Sequence, residues 1–316
     1  RSDVYLYRKL IDMGVSDYLV RPVEANVLAG VIAKTLVERK GVTGSRLIAF
    51  IGAKGGVGVT ALATATAWAS SETLGHKTAL LDAAGGWSSL SVSIGFEPST
   101  TLSSAARSAA NGDEDSLKRM LHKASDKLSV LASGSDAMLG AAITGDQMEN
   151  LIDALMAKYP VVIVDLSRAT PDVVRIFAHR ANQIALVSTP ALSSLRMARS
   201  LMHEMRDLRG KDDKGIELIV NMQGVAPATE VSKKEIEKAM EFKVSAMIPF
   251  APKIFMGSEA ESKRITLDGE GLRIVRSILA PILAKVVSSE LPADEEGDVK
   301  ATGFLDSILG KLKKKA

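Results

Sequence analysis

The chain has 316 residues, 46% of them hydrophobic, which is more than one ordinary domain needs and enough for a substantial core. Cysteine is absent, which excludes disulfides and thiolate metal sites, and the four histidines (His76, His122, His179, His203) show no metal-ligand spacing. Aromatics at 4% argue against a base-stacking surface, and without Lys311, Lys313, Lys314 and Lys315 the net charge of +3 becomes −1, so the basicity sits in the tail and no nucleic-acid partner is expected.

The sequence opens on Arg1 rather than Met, so a piece of a longer protein is expected. No apolar run reaches membrane-spanning length, and the expected address is the cytoplasm or the inner face of the cytoplasmic membrane. Leu6, Leu10 and Met13 share a helical face that Gly14 can cap; residues 15–20 read as a short strand. After Arg21-Pro22 comes an amphipathic helix burying Val27, Leu28, Val31, Ile32 and Leu36. Residues 1–38 thereby resemble the last third of a response-regulator receiver domain, with Arg21 where that family has a lysine and without its phosphoacceptor strand. Packing or dimerisation is the expected use of such a remnant. Residues 39–46, polar with two glycines, read as a linker.

The body, 47–290, opens on an apolar run from Ile48 that stops at Gly52-Ala53-Lys54-Gly55-Gly56-Val57-Gly58-Val59-Thr60-Ala61, and a helical pattern covers 61–74. Glycines let backbone N–H groups close around an anion, and the helix N-terminus adds the positive end of its dipole. Strand, glycine loop and helix in that order predict a phosphate cradle, with the Thr60 hydroxyl placed to ligate Mg²⁺. An ordinary phosphate loop has lysine at position 59; here it is valine, and a different lysine, Lys54, opens the loop. This pattern resembles the deviant Walker A loop of the MinD/ParA ATPases. The resemblance implies ATP and Mg²⁺ as cofactors and a homodimer in which Lys54 reaches the partner's nucleotide.

Residues 77–82 read as a strand ending in Asp82. In the MinD/ParA family an Asp-x-Asp stands there to organise the attacking water and the Mg²⁺ shell, but this chain has Ala84 at the second position. Val59 and Ala84 together predict weak or no hydrolysis. Two short helices broken at Asn111-Gly112 are expected over 101–124, a strand over 127–132 and a helix over 146–159. The run Pro160-Val161-Val162-Ile163-Val164-Asp165 reads as a strand buried on both faces, and its terminal carboxylate suits a Walker B role holding Mg²⁺ through water. Strands over 183–188, 216–221 and 244–249 alternate with helices over 193–208, 233–240 and 272–288. Such alternation predicts an α/β fold with a mostly parallel, doubly wound sheet and helices on both faces. Asn221 and Pro249-Phe250 close strands at the ligand edge, and the family resemblance implies that these segments contact adenine.

Ala67-Trp68-Ala69, the stretch 127–133 and Ser188-Thr189-Pro190-Ala191-Leu192-Ser193-Ser194-Leu195-Arg196 are similar to the CpaE/TadZ branch of the family. That branch serves Tad (Flp) pilus assembly and often carries a receiver-like domain in front. The resemblance implies an ATP-binding scaffold whose partners are pilus assembly or secretion machinery; an active partitioning or positioning ATPase, working on DNA or membrane, is the alternative. Beyond an acidic linker, 291–302, Phe304, Leu305, Ile308, Leu309 and Leu312 form one stripe of a helix ending in the four lysines. A basic amphipathic tail, 303–316, predicts attachment to an anionic membrane surface or packing on a partner.

Overall fold

The computed structural model describes residues 44–283 apart from 84–87, 135–142, 211–213, 268 and 281, together with residue 23. The receiver-like segment, Ala84, the acidic linker and the basic tail lie outside the described residues.

Eight strands form one sheet in the order β3-β4-β2-β5-β1-β6-β7-β8. They are β1 (Arg46–Gly52), β2 (Thr78–Asp82), β3 (His122–Lys123), β4 (Leu128–Leu131), β5 (Val161–Asp165), β6 (Gln183–Ser188), β7 (Ile216–Gln223) and β8 (Val244–Pro249). Every pairing is parallel except the short edge strand β3, which runs antiparallel to β4. The helices are α1 (Val59–Trp68), α2 (Leu90–Ile94), α3 (Leu102–Ala110), α4 (Glu114–Met120), α5 (Gly145–Met156), α6 (Pro171–Arg180), α7 (Leu192–Leu208), α8 (Lys233–Met240), α9 (Pro252–Ala260) and α10 (Gly269–Ile274). The fold class is the expected one, a mostly parallel sheet wound on both sides.

Side-chain alternation along the strands divides the interior into two layers. Leu47, Ala49 and Ile51 of β1, with Val162 and Val164 of β5, join α3, α5, α6, α7 and α8 on one face. Ile48 and Phe50, with Val161 and Ile163, join α1, α9 and α10 on the other. All five residues of β5 are buried, which accounts for its unbroken β-branched run.

Several elements depart from the sequence expectations. The helix after the glycine loop starts at Val59, two residues early, and passes at Ala69–Thr73 into a π-helix. The second helix of 101–124 stops at Met120, because residues 122–123 pair with β4 as a strand. The strand β7 runs on to Gln223 through an irregularity that includes Met222 at φ 59°. The last helix begins at Gly269 and turns into a π-helix over Val275–Leu279. The helices α2, α6 and α9 were not anticipated.

Candidate functional site: a phosphate-type loop and its cleft

The carboxyl ends of β1, β2 and β5 lie side by side. Register pairs Asp82 with Asp165 and Phe50 with Asp165, so both acidic strand ends arrive beside the loop that leaves β1 at Gly52. The loop turns by way of Gly56 (φ +79°) and Gly58 (φ +92°), left-handed conformations that side chains other than glycine's resist. Gly58 is also crowded: a Cβ there would lie 2.5 Å from Nδ2 of Asn221. That amide donates to the Val57 carbonyl at 2.9 Å, tying β7 to the loop.

Under the loop, Gly52 makes room for two valines. A Cβ on Gly52 would meet Val59 Cγ2 at 2.7 Å and Val57 Cγ2 at 2.9 Å. Both valines are buried, at 5% and 1% exposure, within the layer that packs on α1. The residue in place of the usual lysine is therefore an apolar plug beneath the turn.

Thr60, second residue of α1, donates from Oγ1 to Asp165 Oδ2 at 2.6 Å and lies 3.3 Å from Ser167 Oγ. The Ser167 amide donates to Asp165 Oδ1 at 2.8 Å. Burial pushes the Asp165 carboxyl above its ordinary pKa, and the bonds from Thr60 and Ser167 pull the other way. Asp82 is 1% exposed at the end of the neighbouring strand. A hydroxyl and two carboxylates clustered at a glycine cradle form a hard-oxygen donor set, which fits Mg²⁺ beside an anion.

A cleft of about 490 Å³ opens over the loop. Residues 54–61 of the loop and helix start line it, together with Ser167 and Arg168, so the expected contacts Lys54, Gly55, Gly56, Val57, Gly58, Val59, Thr60 and Ala61 all come together. The cleft continues along α1 past Thr64, Ala65 and Trp68 to Ser88, Ser89 and Ser93 around α2, Phe255 and Glu259 of α9, and Lys263 and Ile265 beyond it. Its charged lining is Lys54, Arg168 and Lys263 against Glu259, an excess that suits an anion. Asn221, Pro249 and Phe250 are not part of that lining. Asn221 is engaged with the loop carbonyl, Pro249 is a buried strand end, and Phe250 is 44% exposed.

Sequence reasoning passed over Ser167, Arg168, Thr64, Trp68 and Phe255. The spacing of Thr60, Thr64 and Trp68 was a readable signal, because residues four apart lie on one helix face. The Ser188–Arg196 motif has a structural use: Ser194 Oγ lies 2.9 Å from Ser188 Oγ and accepts from the Thr189 amide at 3.1 Å, fastening α7 to the end of β6.

The most informative likenesses agree on one architecture. A ParA family ATPase from Chlorobium tepidum superposes with a TM-score of 0.66 at 23% identity, covering 77% of this chain and 99% of that one. The fold is that of the MinD/ParA P-loop ATPases. A MinD of Pyrococcus horikoshii, solved with Mg-ADP, superposes with a TM-score of 0.58 at 16% identity over 77% of this chain and 96% of that one. In sequence, the chain is 30% identical over 180 residues to the septum site-determining protein MinD of Synechocystis, a match over 56% of this chain. It spans 64% of that relative's length, just under two thirds. No family profile matches.

Proposed function

We propose that this chain is an ATP-binding scaffold of the MinD/ParA kind that dimerises around nucleotide and turns it over slowly or not at all. The observation that carries the reading is the junction of the glycine loop with Thr60 and Asp165, where hydroxyl and carboxylate are joined at 2.6 Å. Backbone amides of residues 55–60 would cradle the phosphates, Thr60, Asp82 and Asp165 would hold Mg²⁺, and Lys54, which is exposed on the loop, would reach the nucleotide of a second copy. Arg168 adds a second exposed cation to the cleft. Val59 supplies no charge, so one charge-assisted contact, worth about 1.5–3 kcal/mol, is lost relative to an ordinary phosphate loop. Asn221 and the Pro249-Phe250 segment, which close β7 and β8, would contact the adenine, as the family resemblance implies.

The finer reading is a CpaE/TadZ-type localisation factor for Tad pilus assembly or secretion. Its support is the sequence of residues 188–196, the valine at 59 and the receiver-like segment in front. The basic tail would then hold the dimer on the inner face of the cytoplasmic membrane. Four lysines at about 1 kcal/mol each decide binding to anionic lipid, since apolar burial and ordering nearly cancel. The alternative is an active positioning ATPase, favoured by the 30% identity with MinD.

Calorimetry and turnover separate these. Mg·ATP is expected to bind in the micromolar range, roughly −7 to −8 kcal/mol, with turnover far below about 10 s⁻¹. No binding up to millimolar ATP sinks the scaffold reading. Mg²⁺-dependent turnover above about 1 s⁻¹ that Asp165→Ala abolishes selects the alternative.

A further inference from the structure

We infer that Arg168 is the cation this chain uses where an ordinary phosphate loop has its lysine, its guanidinium meeting the terminal phosphate of a nucleotide held by the same chain. The inference rests on the loop taking the phosphates, as proposed above.

The need arises in the loop. Val59, 5% exposed and packed against Gly52, puts hydrocarbon at the position where a lysine would carry its charge to the phosphates. Asp82 and Asp165, 1% and 0% exposed, set two carboxylates against any Mg²⁺ they hold, so the metal's charge is largely met by the chain itself. Lys54 is assigned above to the nucleotide of a second copy. A polyphosphate in this cradle therefore needs another cation from its own chain.

The turn after β5 supplies one. The Leu166 amide donates to the Phe50 carbonyl of β1 at 2.9 Å, and the Ala169 amide donates to the Leu166 carbonyl at 3.2 Å. These bonds close a tight turn with Ser167 and Arg168 at its corner. The Ser167 amide is fastened to Asp165 Oδ1 at 2.8 Å, and the Ser167 hydroxyl lies 3.3 Å from Thr60 Oγ1. The backbone carrying Arg168 is thus anchored to β1, to a buried carboxylate and to the first turn of α1.

The side chain itself is uncommitted. Arg168 is exposed, lines the cleft with residues 54–61, and has no ion pair or hydrogen bond to a described residue. Nearby arginines are spent, Arg175 on Asp172 and Arg180 on Asp153, and Lys263 at the far end of the cleft is bonded to Glu261. Among the described residues that line the cleft, Lys54 and Arg168 are the cations without an acidic partner. A guanidinium presents a planar fork of donors that matches a phosphate, and it stays charged when it approaches one. Rooted beside Thr60 and Asp165, it serves the metal end of the polyphosphate, where Mg²⁺ bridges the last two phosphates of a bound nucleotide. ATP has the terminal phosphate and ADP lacks it.

The probes are Mg·ATP and Mg·ADP, titrated by calorimetry against the full chain. Arg168→Ala is expected to weaken ATP about 10–30-fold and ADP less than threefold, and Arg168→Lys to recover part of the loss. Without ligand the melting temperature should stay in place, since the side chain touches nothing that the substitution would release. Val59→Lys is the deciding background: two residues that supply the same charge are not additive, so there Arg168→Ala should cost less than about threefold in ATP affinity. A contact within one chain also requires the same fold-loss at tenfold lower protein concentration. With the unsubstituted protein binding ATP, unchanged affinity in Arg168→Ala overturns the inference, as do equal losses for ATP and ADP or a full loss in the Val59→Lys background. A loss that shrinks on dilution overturns it by assigning Arg168 to a dimer contact. Failure of the unsubstituted protein to bind Mg·ATP removes the phosphate reading itself, and the role of Arg168 with it.

Discussion

The two walls of the cleft are built on different principles. The loop wall, residues 52–60, is mostly local: the end of β1, the glycines at 55, 56 and 58 and the first turn of α1 make it, with Asn221 and Asp165 bonded to it from β7 and β5. The far wall is assembled from Trp68 of α1, Phe255 of α9 and Ile265, and is held by a strap in which Arg264 and Thr266 bond to Glu72 across 192 and 194 positions of sequence. A local wall is specified by backbone conformation and fails when a glycine is replaced. A long-range wall is specified by side-chain contacts of modest individual strength, so it should fail by degrees.

The largest effect is expected in the loop. Gly56 and Gly58 both have positive φ, but a Cβ at Gly56 meets nothing within 4 Å, whereas at Gly58 it displaces the Asn221 amide. Gly56→Val adds backbone strain of about 1–3 kcal/mol with no clash inside the protein, and its β-branch obstructs the approach of phosphate. Gly58→Val adds the lost bond to Val57. Both should abolish Mg·ATP binding to within the limits of calorimetry, at least about a hundredfold, or about 2.7 kcal/mol. Gly58→Ala should cost more thermal stability than Gly56→Ala, and equal melting shifts would break the assignment of Asn221 as the loop's anchor.

Val59→Lys comes next. Burying the valine contributes about 1.5–3 kcal/mol, part of which a lysine stem retains while its ammonium reaches outward. The variant should melt lower without ligand and bind Mg·ATP up to about tenfold more tightly, with little gain in turnover because Ala84 stands where the family has an acid. A large gain in turnover would show that Val59 alone suppresses hydrolysis.

Much of the loop wall was legible in the sequence, and little of the far wall. The bounds of β6, α8 and β8 came out as read, since each is framed by a clear period or by the capping pair Ser232 and Glu235. The helix α6 carried readable signals that went unused, with Pro171 at its first turn, Asp172 behind it, and Val173 and Phe177 on one face. By contrast α2 has five residues, too few for a period to show. The helix α9 contains Gly257 and only a faint apolar face, so its existence depends on tertiary packing. Val59 was read as a missing charge; its role as a plug against Gly52 required three-dimensional contacts.

A subtler effect concerns Asp165, where the sign depends on the ligand. Burial raises its pKa in the folded protein, so the ionised carboxylate is better accommodated in the unfolded chain. Its contribution to stability is therefore fully present below the unfolded pKa and declines as pH rises through the folded one. Without ligand, Asp165→Asn should melt higher than the unsubstituted protein at neutral pH, and the gap should close on acidification through the carboxylate range. With Mg·ATP the order should reverse, because an amide is a poorer ligand for Mg²⁺. A ligand-free variant that melts lower at every pH would show that the bonds from Thr60 and Ser167 outweigh burial.

The smallest effect belongs to the strap. The Arg264 and Glu72 side chains are 40% and 26% exposed, so their ion pair is screened and contributes under about 1 kcal/mol. Thr266 adds one hydrogen bond to the same carboxylate, and the guanidinium over Trp68 adds a contact of about 0.5–1 kcal/mol. These terms share Glu72 and Arg264, so they should not sum. Glu72→Ala is expected to destabilise by about 1 kcal/mol, a melting shift of roughly 2–4 °C for a domain of this size. The pair Glu72→Ala and Arg264→Ala should be less damaging together than the sum of the two, by about 0.5 kcal/mol or more. Strict additivity would mean that the strap does not couple the two residues, and the far wall would then stand on the apolar packing of Ile265 and Trp68 alone.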